Sequence, residues 1–339
     1  MNMTALKEEI NEQHFVLSDA TRQQLLTDLA AINSPYDDHE THMALATKSF
    51  YSHIPVELLT TIKKFARDPA APGFIILENL PVGDLPPTPV TGHVEDNRPE
   101  FVAEAVTMGL ANLLGEPIGY KWEKDNQLIH NVVPMPGGEY TQSNQGSKVF
   151  LNYHNDMVYD DSLLYNRFNP DFLILVCVRP DPGGVAETRY VDGRDVLDQF
   201  TAEELQRLKE PRFVMASPSN YSRLMSEDGV KWSEPQPILE GGDQFPEFSL
   251  GANGVKALND EDQALLNKVY RVCDTEGVFK GIKLKQGQAL LINNRKGVHA
   301  RTEFEPTGGE NERWLMRANI RTDLWSMRHK MGSDYRRYA

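Results

Sequence analysis

From about residue 117 onward the chain breaks into short β-rich runs separated by turns, and this texture limits the fold more than any other feature. "QLIHNVVP", "KVFLNYH", "DFLILVCVRP", "GVAETRYVD" and "RFVMAS" have the length and the β-branched or aromatic content of strands. "FPEFSL", "GIKLKQGQALLINN" and "RWLMRANIRTDLW" continue the series. Two helical segments interrupt it: "TAEELQRLKE", with a Thr201/Glu204 capping box, and "NDEDQALLNKVYRVCDTEG". Many short strands with few strand–helix–strand alternations favour a sandwich or jelly-roll barrel over a parallel sheet.

The first third reads differently. "SDATRQQLLTDLAAIN" has Ser18 as its N-cap and apolar residues at helical spacing. Pro55 stands near the start of "IPVELLTTIKKFARD", and "RPEFVAEAVTMGLANLLGEP" is expected to run as a helix from Pro99 to Gly115. "GFIILENL" reads as a buried strand. One domain over residues 1–339 is expected, with 1–115 as mostly helical support and 116–339 as the β core. Residues 218–246 form a long stretch rich in Pro, Gly and Ser, read as a lid loop.

The net charge of −14 argues against nucleic acid and anionic membrane as partners, since both require a basic surface. The N-terminus lacks the apolar core of a signal peptide, and no apolar run approaches transmembrane length. With only Cys177 and Cys273, and Cys177 inside an apolar strand, a reduced cytoplasmic protein is expected. A small-molecule partner is expected, and a homo-oligomer is left open.

The stretch "LNYHNDMVYDD" places His154 and Asp156 two residues apart at the end of a strand, where i and i+2 share a face. The triplet is not specific by itself: 9 His and 49 acidic residues in 339 predict about one His-x-Asp/Glu by chance. A second one, His93-Val94-Glu95, lies in the proline-rich loop "PVGDLPPTPVTGHVEDNRPE" with no strand to align it. His39 and His42, in "DDHETH", read as a solvated helix start, and His130 as a core or supporting histidine.

A partner for the first triplet follows the apolar run "ALLINN", where His299 appears after a polar turn. Two imidazoles and one carboxylate suit the facial triad of non-heme Fe(II) oxygenases. Zinc hydrolases use the same donors, so these three residues alone leave the metal open. The following strand narrows the choice. Alternation puts Arg313, Leu315 and Arg317 on one face and Trp314, Met316, Ala318 and Ile320 on the other. Guanidinium suits bidentate capture of carboxylates, and an arginine after the distal histidine is what a 2-oxoglutarate enzyme needs. A metal-dependent jelly-roll isomerase or hydrolase without 2-oxoglutarate, and a non-catalytic small-acid-binding module, remain as alternatives at this point.

The arrangement "HND … VHAR … ERWLMR", preceded by "LIHNVVPMPGGEYTQSNQGSKVFLNYH", resembles the clavaminate synthase-like branch of Fe(II)/2-oxoglutarate-dependent dioxygenases, which includes hydroxylases of free arginine, asparagine and lysine. The likeness runs from roughly Leu110 to the C-terminus. It implies a mainly β fold with flanking helices, a distorted double-stranded β-helix (jelly-roll, cupin-like) core braced by N-terminal helices. It implies Fe(II) on His154, Asp156 and His299, with 2-oxoglutarate and O2 as co-substrates. It implies Arg313 and Thr188 on 2-oxoglutarate, and Arg317 on the carboxylate of an amino-acid substrate. Glu123, Gln142 and Asn144 are the further substrate-pocket candidates. The implied reaction is hydroxylation of an unactivated C–H bond in the side group of a free L-amino acid, with succinate and CO2 as co-products. Many members of that branch carry His-x-Glu, where this sequence has His-x-Asp; aspartate still offers one carboxylate oxygen. Arginine hydroxylases carry acidic residues after the lid, where "FPEFSLGANG" here has Gly251 and Asn253, with Glu247 a few residues earlier. Lysine or a related basic or polar amino acid is therefore the expected substrate.

Overall fold

A computed structural model of the protein describes residues 13–89, 98–123, 126–140, 146–159, 169–218, 230–330 and 334–338. After a short strand, β1 (His14–Val16), come the helices α1 (Asp19–Ala30), α2 (His39–His53) and α3 (Val56–Arg67). Then follow β2 (Phe74–Glu78), α4 (Val102–Leu114), β3 (Glu116–Tyr120), β4 (His130–Val132), β5 (Leu151–His154), β6 (Phe172–Arg179) and β7 (Thr188–Asp192). The next segment holds α5 (Ala202–Leu208), β8 (Phe213–Met215), β9 (Leu239–Glu240), β10 (Glu247–Phe248), β11 (Val255–Ala257) and α6 (Asp260–Cys273). The last elements are β12 (Lys280–Ile282), β13 (Ala289–Asn293), β14 (Gly297–Arg301), β15 (Trp314–Arg321) and β16 (Arg337–Tyr338).

The strands form the two walls of a jelly roll. The larger sheet runs β1-β2-β13-β6-β15-β3-β16, with β4 also paired to β15; the smaller runs β12-β7-β14-β5. Two ribbons, β9/β10 and β8/β11, lie outside them. Side-chain alternation sorts the cores. On β15, Trp314, Met316, Ala318 and Ile320 pack with the N-terminal helices, while Leu315 packs with Cys177, Leu175 and Tyr190 between the sheets. On β14, Val298 and Ala300 face outward to a third core under α5 and α6, which leaves His299 pointing between the sheets.

The helices brace the back of the larger sheet. Helix α4 is apolar nearly all round and buried along its length, as a helix must be when packed on every side. At Gly109 a Cβ would stand 2.7 Å from the Phe50 ring, so the absent side chain is what lets α2 approach α4. Phe50 itself is fully buried in that contact.

Several local expectations hold. Ser18 caps α1 by accepting from the Thr21 amide, and Thr201 and Glu204 form a reciprocal capping box on α5. Others need correction. Helix α4 begins at Val102 with Phe101 as its N-cap, so Pro99 lies outside it. "GIKLKQGQALLINN" is two strands in different sheets, parted at Gly287, whose φ of 74° breaks the run. His42 is buried and its Nδ1 meets the Asn33 carbonyl at 2.7 Å, so of that helix start it is His42 that is not solvated, while Asp38 and Thr41 are exposed. The stretch 230–246 is tied down through β9 and through bridges Phe213–Gln236 and Ala216–Trp232. Residues 219–229 of the expected lid, and the His93 and Glu95 triplet, lie outside the described residues. No helix among the described residues is long and apolar enough to cross a membrane.

Candidate active site

His154 ends β5, Asp156 follows in the turn, and His299 stands in the middle of β14, directly opposite His154 in the antiparallel register. The imidazoles are 4.2 Å apart by ring centroid. Asp156 Oδ1 lies 3.5 Å from His154 Nε2 and 3.8 Å from His299 Nε2. The three side chains are buried, and one donor atom from each falls within 4.8 Å of the others. No other such group of three occurs among the described residues.

The donor chemistry fits a divalent cation. His154 Nδ1 lies 2.6 Å from the Asn152 carbonyl, which takes its proton and leaves the Nε2 lone pair toward the cluster. Burial, followed by the neighbouring His154 ring, pushes His299 down to about 3, so its imidazole is neutral at pH 7 and able to ligate. Burial would raise Asp156, but Arg317 and the two histidines outweigh it and hold the carboxyl well below the usual range. Arg317 Nη1 donates to Asp156 Oδ2 at 2.8 Å, which leaves Oδ1 as the oxygen available to a metal.

Two asparagines fix this geometry. Asn155, fully buried between the two β5-side ligands, donates to the carbonyls of Asn294 and Gly297 at 2.6 and 2.8 Å and accepts from the Leu250 amide. Asn294 accepts from the Asp156 amide at 2.9 Å and donates to the carbonyls of Asp156 and Pro170. Together they lock the His154–Asp156 turn to the segment that leads into His299. Neither stands out from sequence alone; their only signal is an asparagine beside a ligand or at the end of an apolar run.

β15 lines the facing wall. Arg313 and Arg317 are both buried on its inner side, as alternation required, despite an irregularity in pairing with β6 at Trp314/Leu315. Arg317 Nη2 donates to Glu123 Oε1 at 2.8 Å and lies 2.9 Å from His130 Nδ1. His130 therefore stands behind Arg317 rather than among the ligand atoms. Glu123 is thus brought to the site, next to Arg317. Thr188 is buried on β7, opposite Arg301 of β14. Gln142 and Asn144 lie outside the described residues. Gly251 sits beside the metal-side turn through a bridge to Asn155, whereas Asn253 is exposed and Glu247 is turned to Arg295 at 3.5 Å.

Comparison with known proteins is consistent with this arrangement. A family model described as "Taurine catabolism dioxygenase TauD, TfdA family" matches residues 71–319. The L-asparagine oxygenase of Streptomyces coelicolor is 31% identical over 292 residues, covering 85% of this chain and 83% of that protein. The L-lysine 3-hydroxylase of Catenulispora acidiphila is 26% identical over 325 residues, covering 93% and 85%. The crystal structure of asparagine oxygenase with Fe(II), 3-hydroxyasparagine and succinate superposes with a TM-score of 0.83 at 28% identity, covering 96% of this chain and 99% of that one.

Proposed function

The chain belongs to the TauD, TfdA dioxygenase family, and from that premise we propose that it is an Fe(II)- and 2-oxoglutarate-dependent hydroxylase of a free L-amino acid. L-Lysine is the first candidate among basic and polar amino acids. The observation that carries this reading is the pairing of a buried two-histidine, one-carboxylate cluster with two inward arginines on the opposite wall. His154, Asp156 and His299 would hold the iron. Bound iron supplies the oxygen chemistry that hydroxylates a C–H bond while 2-oxoglutarate is oxidised to succinate and CO2.

The protein's own residues supply the rest. The Arg313 guanidinium and the Thr188 hydroxyl hold the distal carboxylate of 2-oxoglutarate. Arg317 binds the carboxylate of the amino acid, and Glu123, its present partner, accepts from the α-ammonium. A zwitterion fits this pair because it brings one charge to each member, which keeps the buried charges balanced. The apolar inner wall around Leu175 and Leu315 keeps water from the reacting carbon. Gly251, bridged to Asn155 beside the cluster, offers no carboxylate to a guanidinium, which makes arginine a weaker candidate.

Succinate formation with a panel of free L-amino acids under Fe(II), 2-oxoglutarate and oxygen tests the proposal. Lysine is expected to stimulate it most, with asparagine, ornithine and arginine as comparison arms. No stimulation by any amino acid would sink the amino-acid reading, and stimulation by asparagine alone would reassign the substrate.

A further inference from the structure

Among the described residues five arginines are buried: Arg301, Arg313, Arg317, Arg321 and Arg336. Three have carboxylate partners: Arg317 with Asp156 and Glu123, Arg321 with Asp171, and Arg336 with Glu40 and Glu116. Arg301 and Arg313 have none within ion-pair distance among the described residues. Removing a guanidinium from water without a counter-charge is costly, so a fold that does it twice in one place needs a compensating anion.

They are in one place. The guanidinium carbons of Arg301 and Arg313 lie 5.5 and 5.4 Å from the centre of the same Phe304 ring. Arg301 uses Nε and Nη2 on the carbonyls of Thr302 and Val149, which fixes its plane and leaves Nη1 without a partner among the described residues. None of the Arg313 guanidinium nitrogens has one either. Asp181, whose charge acts on Arg313, spends its carboxylate on the amides of Gly183, Val185 and Ala186. In strand register Arg301 is paired with Thr188 and follows His299 by two residues, so it shares a face with the distal ligand.

We propose that Arg301 is a second cation of the 2-oxoglutarate site, placed from β14 against the distal carboxylate that Arg313 grips from β15. The inference rests on the function proposed above and adds to it a specificity determinant. One guanidinium neutralises one carboxylate; two on a shared aromatic ring make the pocket select dicarboxylic 2-oxo acids over monocarboxylic ones. Arg301 is a binding residue here: its Nε and Nη2 bonds hold it in place and leave Nη1 for the carboxylate.

The test compares two probes that differ only at the far end, 2-oxoglutarate and 2-oxopentanoate. Their dissociation constants are measured by anaerobic calorimetry on the Fe(II)-loaded full-length protein, for wild type, Arg301→Lys and Arg301→Gln. Arg301→Gln is expected to weaken 2-oxoglutarate about tenfold or more while 2-oxopentanoate changes less than about twofold. Arg301→Lys, which keeps the charge and guards against a folding defect, should fall between wild type and Arg301→Gln for 2-oxoglutarate. A role confined to packing would move both probes together, and that result, or no change in either, would overturn the second-cation assignment. Wild type that fails to bind 2-oxoglutarate at all would overturn the proposed function along with it. Wild-type binding with an indifferent Arg301→Gln removes only the inference.

Discussion

Arg317 and Asp156 are joined across the two sheets, Nη1 to Oδ2 at 2.8 Å. The residue proposed to receive the substrate's carboxylate therefore also orients the carboxylate proposed to bind the metal. Arg317→Met is expected to raise the amino-acid KM by at least about a hundredfold and to weaken iron binding by about tenfold, as outer partners of metal ligands commonly do. Iron titration and succinate assays on one preparation check both effects. Intact iron affinity would show that the contact does not steer Asp156.

Loss of a ligand and loss of the anion receptor should separate. His154→Ala is expected to abolish stoichiometric iron binding at micromolar protein. Arg313→Ala should keep the iron and raise the 2-oxoglutarate KM by about a hundredfold, the scale of a lost charge-assisted bidentate contact. Metal analysis after desalting, beside 2-oxoglutarate saturation curves, distinguishes the two. Iron retained in His154→Ala would refute the ligand assignment.

The Asn155/Asn294 lock should be measurable without turnover. Asn294→Ala removes one acceptor and two donor bonds in a fully buried place, leaving the Asp156 amide and two carbonyls unpaired. A destabilisation of about 3 kcal/mol is expected, with iron affinity falling about tenfold. Urea unfolding of the metal-free protein gives the first and iron titration the second.

Acid sensitivity should have a clear contributor in Asp171. Burial would raise its carboxyl, but Arg295, Arg321 and the Thr322 amide and hydroxyl prevail and hold it below its ordinary 3.8. A depressed folded value stabilises the fold above the unfolded value, and that contribution disappears as pH falls through the folded one. Asp171→Asn is expected to cost about 3 kcal/mol at pH 7. The gap between variant and wild type should shrink as pH falls below about 4. Denaturant midpoints across that range decide it, and a pH-independent gap would count against the ion pair as the cause.

Alternation carries most of what the sequence can show. The inward placement of Arg313 and Arg317 and the apolar outer face of β15 follow from period two alone, and the structure keeps both. His154 and Asp156 are locally ambiguous because a strand end looks the same whether it ligates or is solvated. Their register with β14 places them beside His299, and that non-local pairing is something no local pattern encodes. Arg301 is inconspicuous for a related reason: a lone arginine two residues after a histidine reads as surface until its burial and its missing counter-ion are seen. Helix α2 is hidden by its polar start, since its apolar residues bury only against α1 and α4.

The two walls of the barrel divide the work. His154, Asp156 and His299 sit on or just beyond the four-stranded sheet, whereas Arg313 immediately precedes β15 of the eight-stranded one and Arg317 lies within it. A co-substrate held by the metal at one end and by Arg313 at the other, as proposed above, would add a removable crosspiece between two layers already joined by the packing of Tyr190 and Ile282 on Leu175, Cys177 and Leu315. Filling the site should thus do for this protein what a staple does for a small one. The loaded protein is expected to melt later than the empty one, because the small acid binds the folded site and not the unfolded chain.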